Sequence, residues 1–194
     1  MTRALKGGRL ARMAGKPPDA ARLYEAALNH MARYAATEAG LARVLARRVE
    51  RWGRLQGEEA AAEDIALVMR RAKAEIPGVL NRLRELGVLN DEAFAASRAN
   101  RLTRAGKSRR ATLAHLAAKG VKAPALPDDP ERELAAACAY LRRRRAGPFG
   151  PALTEKILAA MARGGFSQAI TRRALALNLE EAEALIRSLA EPLA

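Results

Sequence analysis

Apolar residues recur every three or four positions along most of this chain, at the spacing that places them on one face of an α-helix. Three such stripes occupy the first half of the sequence, and the helices that carry them are predicted to begin near Asp19, Thr37 and Glu63. Pro77 lies inside the third stripe, so a kink or break is predicted near Ile76. The pattern therefore indicates a helical chain.

Residues 86–121 carry the signals of two short helices joined by a turn. Asn90 is a residue type that caps helix N-termini, and Gly106 can end the helix that follows it. Ser108 and Gly120 supply the corresponding cap and end of the second helix. The residues predicted to build this motif and its later counterpart are Asp91, Phe94, Arg98, Gly106, Gly120 and Gly165.

Arg98 falls in the middle of the apolar stripe of the first of these helices. Its stem is predicted to pack, and its guanidinium to bond a nearby carboxylate such as Asp91. Arg101 and Arg104 project from the outer face of the same helix and are the better candidates for contacts with an anion.

The chain shows signs of internal repetition. Three predicted helix ends place an apolar residue four positions before a glycine and another directly after it, the pattern of a Schellman ending. An ungapped alignment of Leu28 with Leu158 also matches Thr37 with Ser167, two residues that can cap a helix. Repetition of this kind predicts stacked helical units that cannot bury their apolar faces alone.

The predicted fold is all-α, built from tandem three-helix repeats of helix-turn-helix type. Pro124 and Pro127 interrupt residues 121–129, so the third helix of the middle repeat is predicted to be curtailed. The predicted divisions are a flexible basic arm at 1–18 and repeats at 19–89, 90–129 and 130–194.

The positive charge of the chain predicts a polyanionic partner. The net charge is +14, and no acidic residue lies between Ala93 and Pro127. Clustered cations favour a polyanion, most often nucleic acid, although a solvated basic surface is the alternative. For the four arginines at 142–145, a complement to the helix dipole and a contact with DNA remain equal alternatives. The candidate phosphate contacts are Arg101, Arg104, Lys107, Ser108, Arg109, Arg110, Lys119, Arg142, Arg143, Arg144 and Arg145.

The sequence offers no positive case for an enzyme. Residues 106–108 read Gly-Lys-Ser, like the end of a phosphate-binding loop, but Arg101 stands where that motif needs a glycine, and a helix precedes it. Ser108 and the amides after it could still hold one phosphate of a nucleic acid. The two histidines, His30 and His115, lie far apart, so no catalytic residue, metal site or cofactor is predicted.

The sequence also predicts the cellular compartment of the protein. The single cysteine, Cys138, excludes an internal disulfide. No apolar run approaches the roughly 20 residues that span a bilayer, and the basic N-terminus lacks the apolar core of a secretion signal. A cytoplasmic protein without a membrane partner is therefore expected, and a monomer, because no long apolar seam is left over.

Segment 86–121 resembles the signature of the RecX regulators of the recombinase RecA. The sequences YLRRRRAGPF, ARGGFSQAITRRAL and ALNHMARYAATEAGLARVL resemble other parts of the same family, so the resemblance covers most of the chain after the arm. Asn90 departs from it, because the family more often has aspartate there. The matching positions are Asp91, Phe94, Ala95, Ser97, Arg98, Gly106, Leu116, Lys119, Gly120 and Val121.

The resemblance implies both a fold and a function. The fold would be about nine helices in three-helix repeats, stacked into an elongated, curved molecule. The function would be to bind the RecA filament on single- or double-stranded DNA and to inhibit strand exchange, ATPase and coprotease activity in recombination, DNA repair and the SOS response. A stand-alone nucleic-acid-binding protein of the helix-turn-helix type is the alternative that the short helix pairs leave open.

Overall fold

The chain is all-helical wherever its structure is described. A computed structural model describes residues 15–56, 61–122, 124, 126–151 and 154–190, with no side chain given for Thr154. These residues contain nine α-helices, one short 3₁₀ turn and no strand. The predicted all-α class is confirmed. The two compact units of the chain are Met1–Asn90 and Asp91–Ala194.

The first unit contains three helices with the predicted starts. Asp19 Oδ1 accepts the N–H of Arg22 at 2.9 Å, and Thr37 Oγ1 accepts the N–H of Gly40 at 2.9 Å. These bonds satisfy amides that a helix N-terminus leaves without partners. The helices are α1 (Ala20–Met31), α2 (Glu38–Arg54) and α3 (Ala62–Glu85).

Helix α3 continues through Pro77, so the kink or break predicted near Ile76 is not a break. Proline removes one backbone hydrogen bond from a helix interior. Here Pro77 itself is exposed, while Ile76, Val79 and Leu80 pack into the core of the first unit. Burial of three aliphatic side chains, each stabilising by roughly 1.5–3 kcal/mol, offsets that loss.

The second unit contains the remaining helices and the 3₁₀ turn, Gly147–Phe149. Its helices are α4 (Asp91–Arg104), α5 (Arg109–Lys119), α6 (Pro130–Arg144), α7 (Thr154–Gly164), α8 (Gln168–Ala176) and α9 (Leu179–Ser188).

Helix α6 is the centre of the second unit. Every residue from Leu134 to Leu141 is buried. Four alanines in this stretch leave room for neighbours on all sides, and α4, α8 and α9 pack against the helix. Small side chains thus make α6 a helix with no solvent face over two turns.

The predicted Schellman endings are confirmed in the backbone. At each predicted ending, the residue after the glycine donates its amide to the carbonyl of the residue five positions earlier. The same type of bond closes α4 and α6. The side chains of Val121 and Phe166 are buried as expected, but Val88 is exposed and Leu89 fills the core at that end. The five bonds run from Val88 to Leu83, Lys107 to Leu102, Val121 to Leu116, Ala146 to Leu141 and Phe166 to Met161, at 3.0–3.2 Å.

Hydroxyl caps recur at every third helix. Thr37, Ser108 and Ser167 open α2, α5 and α8, and each accepts the amide three residues on. This order is compatible with three-helix repeats, and such a grouping would make α6 the third helix of the middle repeat. The repeat boundaries at residues 90 and 130, and the stacking of repeats, stay predictions. The arm predicted at 1–18 lies mostly outside the described residues.

Candidate nucleic-acid interface

The turn between α4 and α5 lies against α6. Gly106 has a φ of +71°, and a Cβ there would lie 2.6 Å from the backbone nitrogen of Tyr140. Only glycine combines this conformation with so close an approach. Arg143 Nη1 donates to the carbonyl of Ala105 at 2.8 Å. Two separate stretches of the predicted basic cluster, the α4–α5 turn and the end of α6, are therefore neighbours.

The N-terminus of α5 is occupied by groups of the protein itself. The buried Ser108 hydroxyl donates to Gly164 O at 2.7 Å and accepts the amide of Ala111 at 3.1 Å. The amide of Arg109 donates to Glu133 Oε2 at 2.8 Å. The hydroxyl proton of Ser108, a predicted phosphate contact, is therefore already donated within the protein.

Glu133 is a structural residue that the sequence analysis missed. Burial raises the pKa of its carboxyl group, while the amide and the charge of Arg109 act in the opposite direction. A negative group at a helix N-terminus is favoured by the helix dipole. The two residues lie 24 positions apart, and no local pattern in the sequence joins them.

Three of the predicted phosphate-binding arginines lie on α4 and α5 and bond carbonyl oxygens. Arg104 donates from Nε to Leu189 O and from Nη2 to Ala190 O, both at 2.7 Å. Arg109 Nη2 donates to Leu126 O at 2.9 Å, and Arg110 Nη2 to Ala162 O at 3.4 Å. These bonds hold neighbouring segments in place while the arginines keep their charge.

The four arginines at the end of α6 differ in their surroundings. Arg142 pairs with Glu183 at 3.4 Å, and Arg143 holds the carbonyl of Ala105. The guanidinium of Arg144 lies 3.8 Å from the centroid of the Tyr140 ring, a cation–π contact. Arg145 ends the helix with a φ of +51°. Three of the four therefore have contacts in the protein beyond the helix dipole.

Three exposed cations of the predicted set have no side-chain hydrogen bond or ion pair to any described residue; one lies near the end of α4, one in the α4–α5 turn, and one at the end of α6. They are Arg101, Lys107 and Arg145, and together they are called the turn cations below. Lys119, at the far end of α5, is also exposed. An exposed cation that holds no protein partner can meet a phosphate without first breaking a contact.

His115 is a partly buried histidine among the positive charges of this region. Arg98 donates from Nε to His115 Nε2 at 3.1 Å, an imidazole partner where a carboxylate was predicted. Burial lowers the pKa of His115, and the charges of Arg98, Lys119 and Lys107 lower it further. The imidazole is therefore neutral at pH 7 and accepts from the guanidinium.

The described part of the chain offers little support for thiol or metal chemistry. Burial raises the pKa of the Cys138 thiol to about 11, so it stays protonated at neutral pH. Among the described residues, no cluster of three His, Cys, Asp or Glu side chains could hold a metal. None of the helices described is both long and apolar enough to cross a membrane.

Fold and charge together define a basic protein that is all-helical over its described residues and carries several cations at a helix–turn–helix corner. No protein-family model and no solved structure matches the chain. It is 36% identical over 168 residues to the regulatory protein RecX of Myxococcus xanthus (strain DK1622), an alignment that covers 80% of this chain and 85% of that protein. The chain belongs to the RecX family.

Proposed function

We propose that this protein is a cytoplasmic regulator, and specifically an inhibitor, of the recombinase RecA. Membership of the RecX family is the observation that carries the proposal, because the alignment with the M. xanthus protein covers most of both chains. The protein would act as a monomer that binds the RecA filament on DNA and modulates strand exchange, ATPase and coprotease activity.

The proposed contact with DNA runs through side chains. Arg101, Lys107 and Arg145 are exposed and hold no described partner, so they would neutralise phosphates and release condensed counterions. Arg104, Arg109 and Arg110 would contribute charge while bonding carbonyls of the protein. Other faces of the molecule would contact recombinase subunits.

The direct test is to measure RecA ATPase and strand exchange on single-stranded DNA, and coprotease activity, with and without this protein. Inhibition at stoichiometric amounts is expected. Unchanged rates at those amounts would remove the proposed function. Sequence-selective duplex binding without any effect on RecA would favour the stand-alone helix-turn-helix alternative.

The turn cations can be tested by charge reversal that spares the fold. The double variant Arg101→Glu with Lys107→Glu changes the charge by four units without touching an arginine that bonds a carbonyl. Weaker DNA binding is expected, measured by fluorescence anisotropy, because two phosphate contacts become repulsive.

The matched control is Arg172→Glu with Arg187→Glu, which makes the same change of charge on α8 and α9. Both control residues are exposed and without a described partner. Equal loss of affinity in the two double variants would show that net charge, rather than the turn cations, determines binding.

A further inference from the structure

A second basic surface lies in the first unit, which contains none of the residues that the sequence analysis selected for DNA. It is a cleft of about 490 Å³ between the end of α1 and the middle of α2, called the α1–α2 cleft. Clefts of roughly 300–1,000 Å³ suit ligands of the size of a nucleotide. Its described lining residues are Ala26, Asn29, His30, Arg33, Tyr34, Val44, Leu45, Arg47, Arg48 and Arg51.

The polar lining of the cleft is strongly positive. Arg33, Arg47, Arg48 and Arg51 are all exposed, and none of their guanidinium groups has a hydrogen bond or ion pair to a described residue. The three arginines of α2 follow one another at spacings of one and three residues, together with Val44 on one helix face. No acidic residue is among the described lining residues. Four unpaired guanidinium groups around one cleft are suited to a polyphosphate chain.

An exposed aromatic ring accompanies these charges. The Tyr34 side chain is 62% exposed, and its ring centroid lies 5.3 Å from that of His30. Large exposed rings are uncommon on a chain with only 4% aromatic residues, and this one is not needed by the core. An aromatic face beside a row of cations is the arrangement with which proteins stack an unpaired base and hold its backbone.

We infer that the α1–α2 cleft binds single-stranded DNA, with a base stacked on Tyr34 and the flanking phosphates held by Arg33, Arg47, Arg48 and Arg51. A duplex keeps its bases stacked on each other and has no free face to offer the ring, so the single strand is the favoured occupant. The inference deepens the proposed function, because it gives a regulator of RecA a direct contact with the strand on which RecA assembles.

The stacking contact is tested with the full-length protein, in the absence of RecA, on a short oligothymidine. Tyr34→Ala is expected to weaken binding about tenfold, since stacking on an aromatic ring contributes that much per base. Tyr34→Phe keeps the ring and should bind as the wild type does. On an oligonucleotide of abasic sites, wild type and Tyr34→Ala should bind equally. Equal loss on both oligonucleotides would overturn the stacking contact.

The phosphate contacts are tested with Arg47→Glu and Arg51→Glu together, against Arg70→Glu and Arg71→Glu on α3 as the charge-matched control. The cleft variant should lose affinity for the oligothymidine, and its log–log salt dependence should become shallower by about 1.4. The control should keep the slope of the wild type. Equal effects in the two double variants, or tighter binding of the wild type to a duplex of equal length, would overturn the assignment.

Two outcomes separate this inference from the proposed function. If the wild type inhibits RecA but the cleft variants bind single strands like the wild type, the cleft assignment fails and the regulator stands. If the wild type leaves RecA unaffected but Tyr34→Ala still loses affinity for the oligothymidine, the regulator fails and the cleft stands. Circular dichroism melting of each variant shows whether its helices remain folded.

Discussion

At the scale of the residue, glycine at a helix end serves two purposes that differ from site to site. Gly87 and Gly106 have nearly the same backbone conformation, with φ of +69° and +71°. A Cβ at Gly87 would meet nothing within 4 Å, whereas one at Gly106 would meet the backbone of Tyr140. The first glycine is required by the turn alone, and the second also by the approach of α6.

Gly106→Ala is expected to destabilise the protein by about 3 kcal/mol, combining the strain of a positive φ with overpacking against α6. Gly87→Ala, the matched control, should lose only about 1 kcal/mol, because its Cβ enters open space. The free energies of unfolding are measured by urea titration of the circular dichroism signal. Similar losses in the two variants would show that the contact with Tyr140 contributes little.

At the scale of the element, the pair α4–α5 is held together by contacts that also shape its electrostatics. Arg98 reaches from α4 to His115 on α5, a bond at 3.1 Å. The imidazole can accept it only while Nε2 is unprotonated. Binding of this guanidinium, burial and the charges of Lys107 and Lys119 therefore all favour neutral His115.

The lowered pKa of His115 predicts a pH dependence of stability with a definite sign. Because the folded pKa lies below the unfolded value of about 6.5, the unfolded state takes up protons first as pH falls. The contribution is fully present above pH 6.5 and is lost as pH falls through the folded pKa. His115→Gln keeps an acceptor for Arg98 but does not titrate.

Urea unfolding of both proteins from pH 7.5 to 5.5 provides the measurement. The wild type should lose more stability over that range than His115→Gln, and an NMR titration of the free protein should place the His115 pKa below the ordinary value. DNA near the turn cations should raise that pKa, because phosphate charge favours the imidazolium. A His115 pKa at or above the ordinary value would contradict the account of this helix pair.

At the scale of the whole molecule, the cations are numerous but not equivalent. The chain carries 35 lysines and arginines against 21 acidic residues. In the second unit, several arginines bond carbonyls or rings, while the turn cations remain free to meet phosphate. In the first unit, four arginines without a described side-chain partner line the α1–α2 cleft. Net charge alone therefore overstates the number of phosphates that the protein can engage.

Binding of the full protein to DNA should depend strongly on salt. With about six phosphates engaged, the slope of log affinity against log salt should be near −5 on duplex DNA and about −4 on single strands. Charge reversal at Arg101 and Lys107 should make the duplex slope shallower by about 2. Anisotropy titrations over a range of potassium chloride concentrations give both slopes. Affinity that does not change with salt would eliminate the electrostatic mechanism.

The sequence by itself determined the helical class, the caps at Asp19, Thr37 and Ser108 and the Schellman endings, because these depend on residues within one or two turns of each other. Contacts between distant segments were decided only by the tertiary structure. The fold engages the Ser108 hydroxyl with the carbonyl of Gly164, and the core keeps α3 continuous through Pro77, inside the stretch where the sequence predicted a kink or break. The sequence likewise could not show that Arg33 and Tyr34 line one cleft with three arginines of α2. Local rules fix where helices begin and end, whereas the packing of helices against each other decides which charges are used internally and which remain exposed.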